Sequence, residues 1–126
     1  MSAVWRPEAV GESLAEKQMA GLPPLIVTMI DAINRGDFDG FFAAFHGDGE
    51  VNDWNRSFKG RDAIKGWSDT ELIGAKGTLK VTKVLSDTGG TIAFDGDWTS
   101  SYYSGPGRFT ITIRDGKISV MRISEA

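Results

Sequence analysis

The chain has 126 residues, 40% of them apolar and 25% charged, which suits one soluble domain with a real core. Its formal charge of −3 argues against a basic nucleic-acid surface, and the absence of cysteine removes disulfide and thiolate chemistry. A single histidine, His46, disfavours a histidine-based metal site, and no apolar run approaches the ~18 residues of a membrane span.

Met1 to Val10 has no apolar signal core and carries Arg6, Pro7 and Glu8, so a cytoplasmic location is expected. Residues 1–22 read as an N-terminal arm. A short helix over 7–20 is compatible with Val10, Leu14 and Met19, and Gly21-Leu22-Pro23-Pro24 ends it. Residues 23–126 then read as one domain. Pro24 suits a first helical turn, and Leu25, Ile26, Met29, Ile30 and Ile33 follow helical spacing. Asn34-Arg35-Gly36 is a stop. Asp37 is placed to cap a second helix, in which Phe38, Phe41, Phe42 and Phe45 form one aromatic stripe. Gly47-Asp48-Gly49 is its expected end, which puts His46 in the last turn beside the free carbonyls.

"EVNDWN" (residues 50–55) alternates as a half-buried strand does. Side chains repeat every two residues, so Asp53 shares the inward face of Val51, and Trp54 is expected on the other face. A short extended piece follows around Phe58-Lys59. Gly60 leads into a third helix over 61–72, with Ala63, Ile64, Trp67 and Glu71 or Leu72 near one face. Beyond Gly77 the period changes to two. Leu79 and Val81 alternate with Lys80 and Thr82, and Asp87-Thr88-Gly89-Gly90 reads as a hairpin turn. One long strand is predicted over 91–103, with Ile92, Phe94, Gly96, Trp98, Ser100 and Tyr102 on one face. Asp95 and Asp97 then lie outside. After Ser104-Gly105-Pro106-Gly107 come a strand with Phe109, Ile111 and Ile113, a tight turn at Asp115-Gly116, and a last strand from Lys117 to Ser124.

Helices first and a four-stranded meander after make an α+β fold: three N-terminal helices packed in a strongly curved, mainly antiparallel sheet. Long strands containing glycine favour curvature, and the expected shape is a cone able to hold a hollow.

The order helix, helix, "VNDW", "FKGRDAIKGW", then strands ending "GKISVMRIS" resembles the nuclear transport factor two-like superfamily. It is most similar to the SnoaL-like and ketosteroid-isomerase-like branch. The resemblance covers roughly residues 23–124. It implies a cystatin-like cone, no cofactor, no metal, and a homodimer through the outer sheet face, which here includes Thr110, Thr112, Ile118 and Val120. Activities in the superfamily range from isomerases and polyketide cyclases to plain binding modules. The isomerase branch carries its proton-shuttling aspartate two residues past a valine on the first strand, which Val51-Asn52-Asp53 matches. Its oxyanion is held by a tyrosine and a protonated aspartic acid. Met29 and Phe109 fall at those positions and donate no hydrogen bond, so steroid isomerase activity is not expected.

Two readings of Asp53 remain open: a pocket carboxylate serving as base or ligand anchor, or a carboxylate paired with Arg56 or Arg122. The expected pocket is lined by Met29, Phe45, Val51, Trp67, Phe94, Trp98, Tyr102, Phe109 and Met121. These aromatics suit a flat hydrophobic ligand, polyketide- or steroid-like, and equally suit ordinary core. His46 is either a helix-end group or a pocket-mouth partner of Asp53. The expected function is binding of a small hydrophobic molecule, with or without proton transfer by Asp53; the alternative is a dimeric scaffold without catalysis. Neither nucleic acid nor membrane is an expected partner.

Overall fold

Pro24 opens helix α1 (Pro24–Asn34), and Gly36, with φ at +75°, follows its end. A computed structural model describes residues 19–126. The helix expected over 7–20 lies, but for its last two residues, outside them. Ile26, Met29, Ile30, Ala32 and Ile33 are the buried face of α1. The side chain of Asn34 then imitates a strand neighbour. Its Nδ2 donates to the Leu79 carbonyl at 3.0 Å, and its Oδ1 accepts from the Leu79 amide at 2.7 Å. These two bonds tie the end of α1 to the sheet.

Asp37 caps α2 (Phe38–Phe42) by accepting from the Gly40 amide at 3.0 Å. That bond, opposed by burial and helped by Arg35, holds the Asp37 carboxyl below its ordinary range. The helix is shorter than the phenylalanine spacing predicts. Phe45 already belongs to β1 (Phe45–Asp53), paired with Ile118. Its ring still lies 5.7 Å from Phe42 and 5.1 Å from Phe41. One aromatic cluster therefore spans two elements, and strand pairing ends the helix early. His46 accordingly sits on a strand rather than at a helix end. Its Nε2 lies 2.5 Å from the Arg114 carbonyl oxygen, and since a carbonyl only accepts, that nitrogen is the donor.

β1 folds back onto β2 (Arg56–Lys59) through Trp54 and Asn55, both in the left-handed region at φ +53° and +69°. This is the geometry of a two-residue primed hairpin turn. Asn tolerates it; a bulky indole does so at a cost. The turn is held from outside, by Trp54 N–H to the Ile123 carbonyl (3.0 Å) and by Arg122 to Asn55 Oδ1 (3.0 Å). α3 (Gly60–Glu71) follows and buries Ile64, Trp67 and Ser68, with Leu72 just beyond. Ala63, expected on that face, is exposed.

The meander consists of β3 (Thr78–Thr88), β4 (Thr91–Thr99), β5 (Gly105–Arg114) and β6 (Lys117–Ser124). Among the described residues, β1 to β6 form one curved, open sheet in the order β2-β1-β6-β5-β4-β3, with α1, α2 and α3 packed against it. Among these described strands only β1 and β6 pair in parallel. β4 ends four residues before the predicted limit, because Ser100 closes a turn. Its Oγ donates to the Tyr103 carbonyl and accepts from the Tyr102 and Tyr103 amides. Tyr102 is thereby removed from the face of Phe94 and Trp98.

A second departure lies in β6. Ile113 pairs with Ile118 while Thr112 pairs with Val120, so Ser119 is one residue too many on its strand. Such a bulge resets the alternation. Ile118, expected on the outer face, points inward with Met121, and both are fully buried. Asp95 is on the outer side, as parity required. It is gripped by Arg108 at 2.8 and 3.1 Å, chiefly by that hydrogen bond, and its carboxyl is lowered despite some burial.

Candidate functional site

The filled core occupies one part of the cone. Toward the other end the sheet encloses an open cavity of about 420 Å³. Its wall is shared by several elements. The β1–β2 turn gives Asp53, Trp54 and Arg56, and α3 with its end gives Trp67, Glu71 and Leu72. Trp98 comes from β4, Tyr102 and Tyr103 from the Ser100 turn, and Gly105, Pro106, Gly107 and Phe109 from β5; Ile123 of β6 completes the wall.

Part of the hollow is left by glycine. Gly107 faces Gly96 across the β4–β5 ladder. A Cβ built on Gly107 would meet nothing closer than 3.8 Å, so the missing side chain is what leaves the room. Gly77 has the opposite role. A Cβ there would stand 1.8 Å from the Trp98 ring, so the bare backbone leaves room for the outer edge of the indole.

Asp53 stands at the polar end of this cavity, 8% exposed, on the inward face it shares with fully buried Val51. Its Oδ2 accepts from Arg56 Nη2 at 2.6 Å and from the Trp67 indole N–H at 3.0 Å. Arg56 also donates through Nη1 and Nη2 to both carboxylate oxygens of Glu71, at 2.9 and 2.7 Å, and through Nε to the Asp53 backbone carbonyl at 3.3 Å. The hydrogen bond with Glu71, opposed by burial and aided by Asp53, pushes the Arg56 guanidinium upward, so it stays charged. Arg56 lies over Phe58, whose ring in turn stacks on Trp67. The result is a braced triad of two carboxylates and one guanidinium. Asp53 Oδ1 takes no part in it. It has no hydrogen-bond partner among the described residues, yet it is not sealed from the cavity.

Of the residues expected around a pocket, Trp67, Trp98, Tyr102 and Phe109 stand in this wall with Asp53. Met29, Phe45, Val51, Phe94 and Met121 do not; each is at most 2% exposed within the packed core. Tyr102 reaches the cavity from the rim, 59% exposed, instead of from strand β4. Trp54, expected to point away, lines the mouth. Strand parity stops at Asp53, and the left-handed turn re-aims the next side chain. His46 is not in the wall. Arg56 is one of the two cations expected for Asp53, and the two-residue turn sets the pair opposite each other. Helical spacing offered Glu71 or Leu72 for the face of Trp67, and both line the cavity; Tyr103 and Gly107 carry no signal in the sequence that marks them as lining.

The SnoaL-like domain profile matches residues 26–121, most of the chain. The protein belongs to the SnoaL-like family. No curated protein matches this SnoaL-like chain significantly by sequence. Among solved structures it is similar to the candidate polyketide cyclase SMa1630 of Sinorhizobium meliloti. That match has 21% identity and a TM-score of 0.74, over 85% of this chain and 99% of the other. It is also similar to a computationally designed 17-OHP binder (16%, TM-score 0.73, over 81% and 88%). A third is RV0760c of Mycobacterium tuberculosis in complex with estradiol-17beta-hemisuccinate (17%, 0.70, over 79% and 88%). At these identities the likeness is one of fold. No helix among the described residues is long and apolar enough to cross a membrane.

Proposed function

We propose that this SnoaL-like domain binds a small, flat, hydrophobic molecule in the cavity, with Asp53 Oδ1 as its polar anchor. One observation carries the reading: a carboxylate oxygen left unpaired at the end of an aromatic wall. That oxygen is open to water, and a ligand that displaces the water must replace its hydrogen bond with one of its own. The cavity volume falls within the range of small-molecule sites. The steroid-type ligands named for two structural neighbours support the same class of occupant.

Proton transfer is the second reading, and it rests on the same oxygen. An acceptor in a largely apolar hollow has the placement a general base needs. The oxyanion donors of the isomerase branch have no counterpart here. Met29 lies in the packed core, and Phe109 presents only a ring to the cavity. Binding is therefore the function the geometry favours. Pairing through the outer sheet face, if it occurs, has Thr110, Thr112 and Val120 to use but not Ile118.

Three of the four tryptophans line the cavity, so their fluorescence reports on its occupancy. Titration with estradiol is expected to quench or shift that emission saturably in the wild type. Gly107→Leu, which fills the hollow without touching the triad, is expected to weaken the response at least tenfold while leaving the fold intact. An unchanged response in the filled variant would refute binding at this place. Turnover of any ligand that is lost in Asp53→Asn would move the assignment to the catalytic reading.

A further inference from the structure

The polar end of the cavity can accept hydrogen bonds but has almost none to give, and this restricts the ligand further. Arg56 has five N–H groups, of which four are spent on the Asp53 carbonyl, Asp53 Oδ2 and the two Glu71 oxygens. The single N–H of Trp67 is spent on Asp53. Both Glu71 oxygens are already engaged by Arg56. Tyr102 and Tyr103 sit at the rim, more than half exposed. What remains of the triad is one acceptor, Asp53 Oδ1, and one N–H on Nη1 of the half-exposed Arg56; the indole N–H groups of Trp54 and Trp98 lie in the same wall. The local charge points the same way. Asp53, Arg56 and Glu71 are the charged side chains in the wall, two negative against one positive.

We infer that the natural ligand enters with a hydrogen-bond donor, a hydroxyl or amine, at its buried end, and that carboxylate-bearing analogues are rejected. This rests on the binding function proposed above. A hydroxyl gives Asp53 Oδ1 a charge-assisted bond. An ether or ketone leaves that oxygen desolvated and unpaired. An anionic head group meets a site of net negative charge whose guanidinium has four of its five N–H groups already engaged.

Calorimetric titration with one ring system in four forms tests this: hydroxyphenanthrene, its methyl ether, the acetyl ketone and the carboxylate. The hydroxyl form is expected to bind at least tenfold tighter than the ether, a fold-change typical of one charge-assisted bond, and the carboxylate weakest. Asp53→Asn is the diagnostic variant. Its amide oxygen keeps the bonds from Arg56 and Trp67, which turns the NH2 group toward the cavity. The preference is then expected to reverse, ketone over hydroxyl. Glu71→Gln serves if that variant folds poorly. It should narrow the deficit of the carboxylate form and leave hydroxyl over ether unchanged. Equal binding of hydroxyl and ether, or tightest binding of the carboxylate, would overturn the donor inference while the cavity stands. Failure of all four forms to bind, with Gly107→Leu indistinguishable from wild type, would remove the binding function itself.

Discussion

Arg56→Met removes the one cation that holds Asp53 and Glu71 side by side, and its cost can be bracketed. Breaking a fully buried pair by deleting one partner costs about 3–5 kcal/mol, while an exposed pair is worth about 0–1. The carboxylate side chains are 12% and 14% exposed, but the arginine is 49% exposed. Water screens the guanidinium half of the interaction, so the expected loss lies between the limits, at about 2 kcal/mol. Methionine retains an apolar stem over Phe58, so the loss is mainly electrostatic. For a domain of this size, each kcal/mol lowers Tm by roughly 3–5 °C, giving a fall of about 6–10 °C. The variant holds two uncompensated negative charges against each other. Thermal unfolding followed by circular dichroism reads the loss. Glu71→Gln in the Arg56→Met background should recover part of it. A Tm within about 2 °C of wild type, or no recovery in the double variant, would mean that Arg56 does not brace the site.

Two further substitutions test the walls. Trp54→Asn places a residue that tolerates the left-handed region at φ +53° and should add about 1 kcal/mol of stability. It also removes the indole at the mouth and should weaken estradiol binding several-fold; a drop in Tm would contradict the strain assigned to that turn. Gly77→Ala drives a methyl into the Trp98 ring, 1.8 Å away, and the ring has the cavity to move into. Destabilisation of about 1–3 kcal/mol together with weaker binding is expected, and a variant equal to wild type in both would show that the indole is not pinned there.

Much of the fold was legible because burial enforces periodicity. α1 and the strands of the meander each keep one apolar face, and Asp53 inherits its inward direction from Val51. The misreadings have local causes. The ring contacts of Phe45 with Phe41 and Phe42 imitate a helical stripe, although the chain has already left the helix. Trp98, Ser100 and Tyr102 continue the alternation on paper, while the Ser100 hydroxyl folds the chain into a turn. Ser119 inserts one residue that no period of two anticipates. The site divides in the same way. Asp53 and Arg56 are hairpin neighbours, which spacing can suggest. Glu71 reaches them only because of how α3 lies across the sheet, and the hollow owes its space to a glycine whose significance is three-dimensional.

The place of β6 in the sheet has a consequence for how the domain is made. The last of these six strands to leave the ribosome is inserted between β1 and β5, with the β1–β2 hairpin on one side and the older part of the meander on the other. Until it arrives, the two halves of the sheet share no ladder. The Trp54 amide also lacks the Ile123 carbonyl that fixes the mouth. Pairings so distant along the chain close slowly. A nascent chain stopped short of β6 should therefore retain no ligand. Ligand capture would mark the arrival of β6, and a small molecule added during translation would rescue only chains that already include it.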